Sequence, residues 1–166
     1  EDMLTKLAPV DYNPDATLPL FDRYLQAATE GDAAFLAYLQ RALGYTLTGS
    51  TDEDAVFLLL GPGGSGKTTL VEAMLATLGD YGAKASFESF LAGQRTAGAA
   101  RPDVVAMRGA RLVAAAEPRP GAKLDSGTVK ELSGGDSVSA RQLYAAPFTF
   151  RPMLKLWLAA NDAPAM

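Results

Sequence analysis

One stretch of the sequence limits the possible folds more than any other. Ala55-Val-Phe-Leu-Leu-Leu60 is a short, unbroken apolar run, and Gly61-Pro62-Gly63-Gly64-Ser65-Gly66-Lys67-Thr68 follows it directly. A run of this length without polar alternation reads as a strand buried on both faces, the habit of parallel sheets. The glycine-rich stretch satisfies G-x-x-x-x-G-K-[ST] in full. From Lys67 to Leu78 the apolar residues Leu70, Val71, Met74 and Leu75 fall on one helical face, and Gly79 closes the helix. Strand, glycine loop and helix in that order make a phosphate cradle. Glycines let backbone N–H groups turn inward around anionic oxygens, and the helix start adds its positive end. Lys67 reaches β- and γ-phosphates, and the Thr68 hydroxyl suits Mg²⁺, an ion held through oxygens and substrate phosphates.

The rest of the chain supplies a frame for that unit. Residues 1–17 hold two prolines and no period, so they read as an extended arm. Leu18 to Gly44 turns helical, with Leu20, Phe21, Tyr24 and Leu25 in one series and Phe35, Leu36, Leu39 and Leu43 in the next. Asp32 is placed to cap the second helix and Gly44 to end it. Thr51–Asp54 is a polar turn. Residues 84–90 suggest a second strand, 91–101 a mobile loop, Pro102–Arg108 a short helix and 111–116 a third strand. Residues 124–133 suggest a helix, Ser137–Phe150 a hairpin and 154–160 a fourth strand. Strands alternating with helices predict an α/β fold with a parallel sheet. The expected division is an arm and helical segment over 1–50 and a core over 51–166.

Composition removes whole classes of chemistry. The 166 residues include no Cys and no His. Disulfide scaffolds, thiolate zinc sites, cysteine nucleophiles and Ser-His-Asp catalysis are all excluded. No apolar run approaches the ~18 residues of a membrane span, and EDMLTKLAPV lacks the pattern of a signal peptide, so a cytoplasmic protein is expected. The net charge is −4. The distribution is uneven: residues 101–166 carry nine basic and six acidic side chains, whereas both earlier thirds are acidic. A local basic element on an acidic body suits contact with nucleic acid through one loop.

Three further places carry chemistry. Glu117 ends the third strand, where an acid would face the phosphates; Ala116 before it leaves a single carboxylate. Asn161 ends the fourth strand, and strand C-termini of parallel sheets face the ligand crevice. The run Lys130-Glu-Leu-Ser-Gly134-Gly135-Asp136 requires a sharp turn, and the alternation after it suggests a projecting hairpin that carries Arg141. Trp157, inside an apolar strand, reads as core.

GPGGSGKTT, RLVAAAEP, VKELSGGDSVSARQLY and FRPMLKLWLAAND, in this order and spacing, resemble the motifs of superfamily 3 helicases. The match is closest to the phage/plasmid primase-helicase group with its poxvirus relatives. NPDATLPLFDRYL and LQRALGYTLTG resemble the helical segment that precedes that core, so the resemblance covers roughly residues 8–166. It implies an AAA+-like P-loop ATPase that assembles as a ring, usually a hexamer, with ATP between subunits and a hairpin gripping single-stranded DNA. Gly61, Pro62, Gly63, Gly64, Ser65, Gly66, Lys67, Thr68 and Thr69 would surround the nucleotide. Thr68 and Glu117 would serve Mg²⁺, with Glu117 also orienting water, and Asn161 would sense the γ-phosphate. Lys130, Gly134, Gly135 and Asp136 would lead into the hairpin, with Lys130 and Arg141 at the DNA. The family carries a fifth strand and an arginine finger after the Asn motif, whereas this sequence stops five residues beyond Asn161. It also does not open with Met, so a piece of a longer polypeptide is expected, one that binds ATP and hydrolyses it poorly alone. A primase domain in the parent chain and a bacterial or phage-infected cell are further implications. The competing readings are a small-molecule P-loop kinase and a nucleotide-binding assembly module that does not unwind DNA.

Overall fold

A computed structural model describes residues 5–93, 99–116 and 123–165. Helices α1 (Pro19–Ala28) and α2 (Ala33–Leu47) precede β1 (Val56–Leu60) and α3 (Lys67–Leu78). There follow β2 (Gly82–Lys84), α4 (Pro102–Ala106), β3 (Leu112–Ala116), α5 (Ser126–Ser133), β4 (Val138–Ala140), β5 (Phe148–Phe150) and β6 (Lys155–Ala160). Four strands form a parallel sheet in the order β1-β6-β3-β2, and β4 pairs with β5 in a separate antiparallel hairpin. The chain is thus α/β, with a parallel sheet flanked by helices.

Strand period sorts the core into two layers. Leu156 and Leu158 of β6 and Val113 and Ala115 of β3 face one side, where Phe90, Val104, Met107, Leu132 and Val138 meet them. Trp157 and Leu112 face the other, against Leu39 and Ala42 of α2 and Leu70, Met74 and Leu78 of α3. The helices before β1 therefore share a core with the sheet. The Trp157 indole stacks on Phe57 at 4.4 Å and donates to the buried Thr46 hydroxyl at 3.0 Å. At roughly 25 cal/mol per Å² of apolar surface, an indole of this size is among the largest single contributors to docking α2.

Three local expectations need correction. Asp32 does cap α2, accepting from Ala34 and Phe35 N–H, but the helix passes Gly44 and ends at Leu47. Burial of Leu39, Ala42 and Thr46 on one stripe carries it a further turn, which outweighs the weak helix propensity of glycine. Residues 84–90 are not one strand. β2 stops at Lys84, and the Ser86 hydroxyl accepts from Glu88 N–H to start a 3-10 turn over Phe87–Phe90. Finally, β1 is half buried rather than fully covered, because it is the edge strand of the described sheet. Of the loop expected over 91–101, residues 94–98 lie outside the described residues.

Candidate functional site

Sheet order creates the site. β6 lies between β1 and β3, so the residue after β6 stands beside the loop after β1. The register pairs Leu60 with Ala160, which makes Gly61 and Asn161 neighbours where the two strands end. This is the C-terminal edge of the parallel sheet, the edge at which ligands bind in such folds.

Gly61 to Thr68 forms a loop running into α3. Gly61, Gly64 and Gly66 have φ of 152°, 81° and 90°, values that admit glycine and strain other residues. A Cβ at Gly63 or Gly64 would meet nothing within 4 Å, so the loop leaves open space on that side. The Lys67 ammonium is folded onto the loop. It donates to the carbonyls of Gly61 at 2.6 Å and Pro62 at 2.9 Å, to the Ser65 hydroxyl at 3.2 Å and to the Asn161 amide oxygen at 3.3 Å. Lys67 and Asn161, 94 positions apart, are thereby brought together. All four partners are neutral oxygens, so an anion would be a better partner for this cation than any it now has.

Thr68 and Thr69 occupy the exposed first turn of α3. Beside Thr68 lies a cleft of about 220 Å³ floored by Ala114, Ala115, Ala116 and Ala159, with Glu72 and Lys84 at its edge. Those two form an ion pair at 2.7 Å. Glu117 lies outside the described residues, although Ala116 before it pairs with Ala159 of β6. Among the described residues no group of three or more acidic side chains could hold a metal. Of the two sequence candidates for a cation, Thr68 is described and exposed at this cleft, and Glu117 is not among the described residues.

The remaining sequence candidates sit elsewhere. Gly135 is buried with a φ of 69° against Thr51, and its carbonyl accepts from Arg151 Nε at 2.7 Å. The Gly-Gly-Asp turn therefore lies by the turn before β1, at the opposite end of the sheet from Lys67. Lys130 and Asp136 are exposed there. Arg141 follows β4 directly, its carbonyl accepting from Arg101 N–H at 3.0 Å, and Leu143 and Tyr144 stand exposed in the hairpin turn. The structure does not bring Lys130 and Arg141 to the Lys67 site.

Two features escape sequence reasoning. Tyr24 of α1 donates its hydroxyl to the Gly66 carbonyl at 2.9 Å. Lys155 is buried at the start of β6, where its ammonium donates to the Thr48 carbonyl at 2.7 Å and lies 4.3 Å above the Tyr45 ring. Burial pulls its pKa down to about 8, reinforced by Arg111 and partly countered by Asp52. In the sequence it is the one charged residue of an otherwise apolar strand, and nothing local marks it as buried.

Among solved structures, the fold matches an apo A form of the NrS-1 C-terminal region with a TM-score of 0.65 at 12% identity. A second apo structure of that region gives 0.63 at 11%. The matches cover 95% of this chain and 35% and 36% of those chains. Among curated proteins, the chain is 29% identical over 135 residues to "Putative helicase L207/L206" of Acanthamoeba polyphaga mimivirus. It is also 29% identical over 133 residues to "Putative helicase 022R" of Frog virus 3 (isolate Goorha). The matches take in 81% and 78% of this chain, and it spans 14% of the length of each relative. No described helix is long and apolar enough to cross a membrane. Residues 59–166, from the end of β1 through the glycine loop to Asn161 and beyond, match one family model over well more than half of the chain, and the chain belongs to that family, DUF5906, a family of unknown function.

Proposed function

We propose that this chain is the ATP-driven core of a DNA helicase, an AAA+-like P-loop ATPase of superfamily 3 type that works in a ring on single-stranded DNA. The observation that carries the reading is the meeting of Lys67 and Asn161 at the end of the parallel sheet. A lysine from a glycine loop and an amide from a neighbouring strand end are the two groups needed to hold a terminal phosphate and to register its loss. The names of the two viral relatives support the same direction.

In this reading, Lys67 exchanges its loop oxygens for the β- and γ-phosphates, and the amides of Gly63–Lys67 surround them. Asn161, released from Lys67, turns its side chain to the γ-phosphate or to the attacking water. Glu117 orients that water and, with Thr68, serves the metal. Mg²⁺ would neutralise charge developing on the transferred phosphoryl oxygens. The hairpin turn, with Arg141, would contact DNA away from the nucleotide. A small-molecule kinase would need uncommitted polar side chains to fix an acceptor, whereas the cleft beside Thr68 has a floor of alanines and the Glu72 and Lys84 at its edge are paired with each other.

The test is ATP hydrolysis by the full-length parent with and without single-stranded DNA. The reading expects DNA to raise the rate and Glu117→Gln to abolish turnover while nucleotide still binds. Nucleotide binding with no DNA-stimulated turnover in the parent would overturn the motor and favour the assembly module.

A further inference from the structure

Helix α1 lies before the matched family region, yet it touches the loop that carries Lys67. The Gly66 carbonyl accepts twice, from Leu70 N–H at 3.1 Å within α3 and from the Tyr24 hydroxyl at 2.9 Å across the fold. The Tyr24 ring also packs so close that a Cβ on Gly66 would lie 2.7 Å from its Cε2. Phe21, one turn earlier on α1, stacks on the ring at 5.8 Å and fixes it from the other side. Tyr24 is half buried. Its position is therefore defined by packing as well as by its hydrogen bond.

The consequence follows from peptide planarity. The C=O of Gly66 and the N–H of Lys67 belong to one rigid plane and point in opposite directions. With the oxygen held along α3 by Leu70 N–H and by Tyr24, the Lys67 N–H is held the opposite way, toward the N-terminal end of that helix. That N–H is one of the donors a phosphate would meet at the start of α3. Gly66, with a ψ of −1°, and helical Lys67 flank this plane, and its oxygen is held both by Leu70 N–H and by the Tyr24 hydroxyl, so Tyr24 shares control of it with the first turn of α3.

We infer that Tyr24 is a positioning residue of the phosphate site, acting through the Gly66–Lys67 peptide and making α1 part of the nucleotide-binding unit. This rests on the nucleotide reading above and adds to it a residue outside the family-matched stretch. Solved structures that match over 95% of the chain cannot leave out both helices before β1, so helical structure ahead of the glycine loop belongs to the shared fold.

The decisive variant is Tyr24→Phe, which keeps the ring and its stack on Phe21 and removes the donor. Loss of one neutral hydrogen bond of this kind predicts roughly 3- to 10-fold weaker binding of ADP and of pyrophosphate. The melting temperature without ligand should fall by no more than about 2–4 °C, because the ring packing remains and Gly66 keeps its helical partner. The Lys67 amide signal in a ¹⁵N–¹H spectrum should move in the unliganded variant, which reports that the bond to Gly66 is made in solution, and the loss of ligand affinity is what a purely structural role for Tyr24 would not produce. Tyr24→Leu should lose more affinity than Tyr24→Phe and also lower the melting temperature. If the wild type binds both ligands and Tyr24→Phe binds them equally, this inference fails, whatever the Lys67 amide does, and the nucleotide reading survives. If the wild type binds neither, the nucleotide reading itself fails, and this inference with it.

Discussion

Two lysines at opposite ends of the sheet solve the same problem in different ways. Lys67, after β1, and Lys155, opening β6, each bring a positive charge against backbone carbonyls. Lys155 is sealed. It is 1% exposed, its acceptor is the Thr48 carbonyl just past the end of α2, and the Tyr45 ring covers it. Nearby, Arg111 lies 4.6 Å over Tyr81 and donates to the Leu47 carbonyl at 2.6 Å. Two cations on the last carbonyls of α2 complement the negative end of that helix and fasten it to the sheet. Lys67 sits on an open loop whose oxygens it can leave. One charge holds the fold together, and in the proposed reading the other is held in reserve for a ligand.

Substitutions separate the two ends. The largest expected effect is on the fastened side: Trp157→Ala removes the stack on Phe57 and the bond to Thr46, and should cost about 3–5 kcal/mol in urea unfolding. Lys67→Ala should leave that unfolding almost unchanged and weaken ADP binding roughly 10- to 150-fold by calorimetry, the value of a charge-assisted contact of about 1.5–3 kcal/mol. Lys155→Met should do the reverse, retaining ADP affinity while losing about 1–3 kcal/mol of stability, because the Thr48 carbonyl is left without its donor. An equal loss of affinity in both lysine variants would erase the distinction.

The smallest effect is a pH dependence. The ammonium of Lys155 has a pKa near 8 in the folded chain, against 10.5 ordinarily. Below about 8 both states are protonated and the cost of burying the charge is fully present. Between about 8 and 10.5 the unfolded chain binds more protons, so stability rises with pH through that window. Urea midpoints at pH 7.5 and 10 should therefore move upward in the wild type relative to Lys155→Met. Parallel movement of the two proteins would contradict the buried-charge account.

The two ends also differ in how far the sequence announces them. The strand, loop and helix around Lys67 are visible because glycine positions, the Lys-Thr pair and helical period are local signals. Asn161 is visible as a strand end. Its contact with Lys67 is not, because that depends on β6 inserting between β1 and β3, a matter of strand order. Lys155 hides because a lysine opening an apolar strand is ordinarily solvated, whereas β6 is central and buried along its whole length. Tyr24 hides for a similar reason: helical period assigns it to the core, and only the tertiary approach of α1 turns its hydroxyl to Gly66. The Gly44 and 84–90 misreadings share a cause, since burial of Thr46 and the Ser86 cap outweigh local propensity.

The most direct test is one calorimetric titration of Mg²⁺-ATP into the wild type, Lys67→Ala and Lys155→Met under identical conditions. The account predicts binding in the wild type, the same affinity in Lys155→Met and a loss of at least about tenfold in Lys67→Ala. Wild-type affinity in Lys67→Ala would contradict it, because the open end of the sheet would then not be where the nucleotide binds.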